Sequence, residues 1–280
     1  MSAVASPPLT GSQTITVRRH EGELANWAQD QIVTELPVAL VFNGLSHAVM
    51  MVTPTDLEDF ALGFALSEGL IERASDCHDI EAIESEHGIE LQLQVSARAF
   101  ESIKAHRRLL SGRTGCGLCG IDSLQSFQRS HPTERSRLNA EPIRPKVHAA
   151  TVLHALAQLA PHQALQTDTG GCHAAAWANP DGELLVVRED VGRHNALDKL
   201  IGHLARTRPS QTGQQTHNGI ALVSSRASYE LVSKCARVGI PTLASISAPT
   251  SMAVELARRL GLQLYGFCRG ERAVDYTAAP

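Results

Sequence analysis

From His173 to Phe267 the chain alternates extended runs with helical ones, and this order limits its folds more than any other feature. Two extended runs, His173 to Trp177 and Leu184 to Val187, are joined by Asn179-Pro180-Asp181-Gly182, a turn built from residues that each favour one. The order then reads helix at Arg193 to Ala205, strand at Ile220 to Val223, helix at Ala227 to Val238, strand at Thr242 to Ile246, helix at Thr250 to Leu260 and strand at Gln263 to Phe267. A hairpin followed by alternating helices and strands predicts a layered α/β domain. A helix over Lys146 to Leu159, with Val147, Ala150, Leu153, Leu156, Ala157 and Ala160 on one face, opens this unit.

The first half has a different rhythm. Thr14 to Arg18 and Gln31 to Glu35 read as extended, and Pro37 to Phe42 and His47 to Val52 flank Asn43-Gly44, a strong hairpin signal. Thr55 with Glu58 forms a capping-box pattern before a helix that ends near Gly69. A strand pair, Ile80 to Glu84 and Ile89 to Val95, surrounds His87-Gly88, and Ala97 to Leu110 reads as a basic amphipathic helix. The polar stretch Ile121 to Lys146 carries Pro132, Pro142 and Pro145 and reads as a linker, and Arg208 to Asn218 reads as a loop. The expected division is a tail over 1–12, a smaller N-terminal α+β domain over 13–112, a loop and linker over 113–145, and an α/β domain over 146–280.

With 280 residues, 43% of them hydrophobic, the chain has enough apolar material for one large core or two smaller ones. A net charge of -4 without a Lys/Arg stripe argues against nucleic-acid binding. No run approaches the roughly 18 apolar residues that a membrane-spanning helix needs, and Met1 to Ser12 has no apolar h-region, so a cytoplasmic protein is expected. Cys77, Cys172, Cys235 and Cys268 are scattered and read as small buried thiols.

Cys116 and Cys119 differ, because they stand two residues apart within Ser111-Gly112-Arg113-Thr114-Gly115-Cys116-Gly117-Leu118-Cys119-Gly120. Such a pair can bind metal, cycle through a disulfide or carry sulfur as a persulfide. Structural zinc takes four ligands and this pair supplies two. A thioredoxin-like pair belongs at a helix start in an early βαβ unit, whereas this one follows a helix. The zinc deaminases need an upstream His-x-Glu and a proline where Gly115 stands. Sulfur relay on a glycine-rich loop suits the pattern better than any of these.

Three patches follow strands of the second unit: Ser224-Ser225-Arg226-Ala227-Ser228, Ser247-Ala248-Pro249-Thr250-Ser251, and Phe267-Cys268-Arg269-Gly270-Glu271-Arg272. Hydroxyl-rich helix starts and guanidinium groups at the carboxyl ends of strands suit an anion, phosphate above all. Thr169-Gly170-Gly171-Cys172-His173 and Glu189-Asp190-Val191-Gly192-Arg193-His194-Asn195-Ala196-Leu197-Asp198-Lys199 concentrate further polar groups. In the second of these, His194 with Asp198 and Asn195 with Lys199 stand one helical turn apart.

Taken together, Gly-Arg-Thr-Gly-Cys-Gly-Leu-Cys-Gly, Thr-Gly-Gly-Cys-His, Glu-Asp-Val-Gly-Arg-His-Asn-Ala-Leu-Asp-Lys, Ser-Ser-Arg-Ala-Ser-Tyr-Glu and Phe-Cys-Arg-Gly-Glu-Arg closely resemble the FdhD family of formate dehydrogenase accessory proteins, from about Thr14 to Thr277. The resemblance implies a sulfur carrier, a sulfurtransferase that accepts persulfide sulfur from a cysteine desulfurase. It passes that sulfur to the molybdenum of a bis-molybdopterin guanine dinucleotide cofactor and so activates formate dehydrogenase. By that likeness Cys116 carries the persulfide and Cys119 is its partner. Phe267, Cys268, Arg269, Gly270, Glu271 and Arg272 match the cofactor-binding stretch, and Ser225, Arg226, His173, Arg193, His194 and Asn195 join them as candidates. It also implies a cytidine deaminase-like C-terminal domain without deaminase chemistry, a homodimer, and no intrinsic metal. The alternative is a zinc- or nucleotide-binding chaperone module, or a nucleotide-modifying enzyme, that moves no sulfur.

Overall fold

A computed structural model describes residues 10–110, 147–207 and 218–278. Residues 1–9 of the tail expected over 1–12, the segment 111–146 with Cys116 and Cys119, residues 208–217 of the loop expected over 208–218, and 279–280 lie outside the described residues, whereas Ser12 already belongs to a strand. The described chain is mixed α/β with three sheets.

Ser12–Glu21 (β1) and Leu24–Val33 (β2) form a two-stranded antiparallel ribbon. The sequence predicts only its two ends, since Ala25 to Asp30 carries Asn, Gln and Asp and no clear alternation. Leu36–Phe42 (β3), Leu45–Val52 (β4), Cys77–Ser85 (β5) and Gly88–Val95 (β6) form a four-stranded sheet in the order β4-β3-β6-β5. Val38, Leu40, Phe42, Ile89, Leu91 and Leu93 alternate onto its buried face. Leu57–Ser67 (α1) packs on that face, and Ala97–Leu110 (α2) follows β6.

The capping box does not form. Asp56 takes the N-cap position with φ 51° and makes no side-chain cap. The Thr55 hydroxyl instead accepts a hydrogen bond from Lys199 Nζ at 3.2 Å. A long-range tie to a buried ammonium has displaced the local cap.

The second half holds Ala149–Ala157 (α3), Ala164–Thr169 (α4), His173–Ala178 (β7), Leu184–Asp190 (β8) and Arg193–Thr207 (α5). Ile220–Val223 (β9), Tyr229–Arg237 (α6), Thr242–Ser245 (β10), Ser251–Leu260 (α7), Gln263–Arg269 (β11) and Arg272–Asp275 (β12) complete it. The six-stranded sheet has the order β12-β11-β10-β9-β7-β8. The pairings run β8, β9, β10 and β11 in one direction and β7 and β12 in the other. Neither α4 nor β12 is predicted from the sequence. Each is too short to show a period, and β12 exists through its pairing with β11.

Side chains alternate between the faces of this sheet. Ala175, Trp177, Ala221, Val223, Leu243 and Leu264 enter a core shared with α5, α6 and α7. Ala174, Ala176, Ala178, Ile220, Leu222 and Ala244 enter a smaller one under α3. The larger core runs without a break into the four-stranded sheet through a seam between α1 and α5. That seam is so close that a Cβ on Gly63 would overlap the Asp198 carbonyl oxygen, and one on Gly202 would overlap that of Asp59. Glycine at both positions is what lets the helix backbones touch. No helix among the described residues is long and apolar enough to cross a membrane.

Candidate functional site

Strand direction collects the predicted patches. The carboxyl ends of β8, β9, β10 and β11 share one edge of the sheet with the first residues of β7 and β12. Helices α5, α6 and α7 therefore all begin at that edge, with the positive ends of their dipoles toward it. Ser228 Oγ caps α6 by accepting from Leu231 N, and Thr250 Oγ1 caps α7 by accepting from Ala253 N.

A chain of short contacts joins the patches. Ala174 N donates to Ser224 Oγ at 2.8 Å, which sets His173 beside the β9 loop. Thr250 N donates to Ala227 O at 3.0 Å, and Phe267 N to Ser247 O at 3.1 Å. Arg269 Nε donates to Ile246 O at 3.2 Å. Gly266 permits this approach, because a Cβ there would lie 2.8 Å from Pro249 Cδ.

Phe267 is an outlier. Its φ of 52° is a strained conformation for a bulky residue, and the β11–β12 register shifts across Gly266 to Arg269. The bulge turns the ring outward, where the Arg272 guanidinium lies 5.2 Å from its centroid. Arg269, Gly270, Glu271 and Arg272 are exposed beside it. Cys268 points the other way, into the smaller core, where burial pushes its thiol up to about 11.

The long polar run divides. Arg193 and His194 stay half-buried at the edge, and His194 Nε2 meets Glu230 Oε2 at 2.5 Å. The His194 contact lowers Glu230 below the ordinary carboxylate value and outweighs its burial. Burial, with Arg193 and His194 nearby, lowers His173 below the ordinary imidazole value. Arg193 Nε is buried with no hydrogen-bond partner among the described residues. Ser225 is buried and donates to the Arg226 carbonyl, while the Arg226 side chain is exposed.

Asn195, Asp198 and Lys199 turn inward, and the one-turn pairs expected from spacing do not form. Asn195 Nδ2 donates to Met51 O at 2.8 Å and to Asp190 Oδ1 at 2.9 Å. Lys199 Nζ lies 2.8 Å from Asp190 Oδ2, with both side chains fully buried, and donates to Thr53 O and Glu189 O. Asp198 accepts from Ser67 Oγ at 2.6 Å and from Lys234 Nζ at 2.9 and 3.0 Å. Burial alone would lower Lys234, but Asp198 and Glu68 outweigh it and hold its ammonium above the ordinary value. Each inward group has found a partner outside its own helix, on β4 and the residues after it, β8, α1 or α6, which a spacing rule within one helix cannot see. Glu230 and Lys234 were missed as site and seam residues. Their place in the helix that follows the hydroxyl-rich β9 loop was the available signal.

Four cysteines are described and none is activated. Burial is the first cause at each, raising Cys77, Cys172 and Cys268 to about 11 and Cys235 to about 12. All four remain thiols near neutral pH, and the thiolate is the nucleophile. Among the described residues no cluster of three or more His, Cys, Asp or Glu could hold a metal ion.

Known proteins place the chain. Over 268 residues it is 47% identical to the sulfur carrier protein FdhD of Acinetobacter baylyi, covering 95% of this chain and 93% of that one. Over 276 residues it is 49% identical to the sulfur carrier protein FdhD of Burkholderia mallei, covering 96% and 97%. A crystal structure of a formate dehydrogenase accessory protein from Desulfotalea psychrophila has the same fold, with a TM-score of 0.69 at 23% identity over 96% of this chain and 98% of that one. The model of the FdhD/NarQ family matches residues 33–280, which takes in every patch at the sheet edge, and the chain belongs to that family.

Proposed function

We propose that the protein is a sulfur carrier in formate dehydrogenase maturation, and that its sheet edge holds the phosphate-bearing cofactor that receives the sulfur. The observation that carries the reading is the gathering of three helix N-termini with Arg193, Arg226, Arg269 and Arg272 at one edge. Backbone N–H groups and guanidinium forks suit the pyrophosphates of a bis-molybdopterin guanine dinucleotide. The unpaired Arg193 Nε and the outward Phe267 ring fit such a client, one as a donor and the other as a stacking face for a base.

Cys116 and Cys119 supply the sulfur chemistry. The Cys116 thiolate attacks the outer sulfur of a desulfurase persulfide, forming Cys116–S–SH and releasing the desulfurase thiolate. Attack of the Cys119 thiolate on Cys116 Sγ then forms a Cys116–Cys119 disulfide and expels the carried sulfur as sulfide, the two electrons coming from the two cysteines. A cellular dithiol must reduce the disulfide before the next cycle. The high thiol pKa values of Cys172, Cys235 and Cys268 favour this pair over the others.

The same reading includes a homodimer at work in the cytoplasm, with a cysteine desulfurase as donor and formate dehydrogenase as acceptor. It also includes an N-terminal domain over 13–112 and a cytidine deaminase-like one over 146–280. Separate sheets in the two halves support that division, as does a hairpin leading into three parallel strands in the second. The experiment is co-expression of a formate dehydrogenase with wild type and Cys116→Ala. Loss of dehydrogenase activity with Cys116→Ala is expected, and full activation by that variant would overturn the assignment.

A further inference from the structure

The sheet edge holds a carboxylate where an anion site has least use for one. Glu230 stands in the first turn of α6, two residues after the cap Ser228, at the edge where Arg193, Arg226, Arg269 and Arg272 gather. A bare carboxylate there would repel a phosphate. This one is not bare, because its Oε2 lies 2.5 Å from His194 Nε2.

That contact is the upper of two rungs. His194 and Asp198 stand four residues apart on α5, Glu230 and Lys234 stand four apart on α6, and both helices begin at the edge, so the pairs lie level. In the lower rung Lys234 Nζ donates to Asp198 Oδ1 at 2.9 Å and Oδ2 at 3.0 Å, and both side chains are buried. Ser67 Oγ at 2.8 Å and Glu68 Oε1 at 2.7 Å tie the same ammonium to α1. The charges run in opposite order on the two helices. Sliding α6 by one turn would set Glu230 against Asp198 or Lys234 against His194, so the lower rung fixes which group meets the imidazole.

The two ring nitrogens of His194 therefore differ. At 2.5 Å a nitrogen and a carboxylate oxygen cannot both present lone pairs, so a proton lies between them. Nε2 is buried while the side chain is 26% exposed, so the open part of the ring lies away from Glu230. Nδ1 is the nitrogen left for a ligand. On a neutral ring it would turn a lone pair toward a phosphate oxygen, whereas on an imidazolium it donates. The charge of Glu230 favours the imidazolium.

We propose that Glu230 is a positioning residue of the edge: it holds His194 as an imidazolium whose Nδ1–H donates to a phosphate of the bound cofactor. The inference rests on the reading of the edge as a cofactor site. Phosphate, imidazolium and carboxylate then form a row of alternating charge, with the proton taken from solvent. The other charged or titrating groups around the pair are Arg193 on α5, Lys234 on α6 and His173 on β7, and Asp198, one turn below on α5, is occupied by Lys234.

The test is calorimetric affinity for guanosine diphosphate against pH in wild type and Glu230→Gln. Glutamine keeps an acceptor for Nε2–H and removes the charge. His173 and the phosphate titrate in both proteins, so the difference between the two profiles isolates the His194 pair. The variant is expected to match wild type within about twofold at pH 5.5 and to bind about tenfold more weakly at pH 8, as a shift of about one pH unit in the charging of one imidazole requires. Equal affinity at every pH, or a loss of the same size at every pH, as a role confined to holding α5 against α6 would give, overturns the proposal. Should Glu230→Gln fail to fold, the nitrogen-15 spectrum of the wild-type complex decides, with His194 assigned by its loss in His194→Gln. Two protonated ring nitrogens at pH 7 are expected, and a neutral ring overturns the proposal. Wild type that binds no guanosine diphosphate would overturn the edge reading and this inference with it, whereas binding indifferent to Glu230 overturns this inference alone.

Discussion

The α1–α5 seam and the sheet edge draw on the same eleven residues, Glu189 to Lys199, and treat charge in opposite ways. At the seam, Asp190, Asp198 and Lys199 are buried, and each meets an opposite charge within 3 Å. At the edge, Arg193, His194, Arg226, Arg269 and Arg272 gather with Glu230 and Glu271 as the nearby carboxylates. The seam is closed and neutral, which is what a folding contact requires, because an unpaired buried charge is costly. The edge is open with cations in excess, which is what an anionic ligand requires. One helix serves both because successive residues point to different sides of it.

Removing one partner at the seam should give the largest effect. Lys199→Met leaves Asp190 buried without its cation, and a loss of about 3–5 kcal/mol of stability is expected in urea unfolding. Gly202→Ala forces α1 and α5 apart and should cost about 1–3 kcal/mol by the same measurement. At the edge the pattern reverses. Arg269→Ala with Arg272→Ala should change stability by no more than about 0.5 kcal/mol for each exposed site. The same pair should weaken binding of guanosine diphosphate roughly tenfold, about 1.4 kcal/mol, in calorimetry. If the edge pair unfolds the protein, or the seam variants keep full stability, the contrast breaks.

Acidity separates the two regions more finely. His173 is lowered from 6.5 in the fold, so the unfolded chain binds more protons and His173's contribution, present above pH 6.5, is lost as pH falls below it. Glu68, lowered from 4.5 because Lys234 outweighs its burial, contributes above pH 4.5 and loses that contribution only at lower pH. Lys234 is raised from 10.5, so its contribution is complete below that pH and fades as pH rises beyond it. Acid should therefore weaken the edge before the seam. Stability measured from pH 7 to 5 should decline in wild type and stay flatter in His173→Asn.

Much of this was legible in the sequence. Every strand and helix from β7 to β11 falls within a few residues of its expected place, because hydrophobic period and turn residues are local signals. The patches at strand ends were legible for the same reason, since strand direction alone carries them to one edge. Long-range partners were not legible. Thr55 reads as a cap and serves Lys199, Asp198 reads as a partner of His194 and serves Lys234, and Cys268 sits in a binding motif yet faces the core. Each depends on which surface lies opposite, a property of the packed chain.

The most direct measurement of the central claim is mass mapping of persulfide on the purified protein after incubation with a cysteine desulfurase and cysteine. The account predicts one added sulfur on the peptide that carries Cys116 and none on those carrying Cys172, Cys235 or Cys268. Sulfur on the buried cysteines with Cys116 unmodified would contradict it.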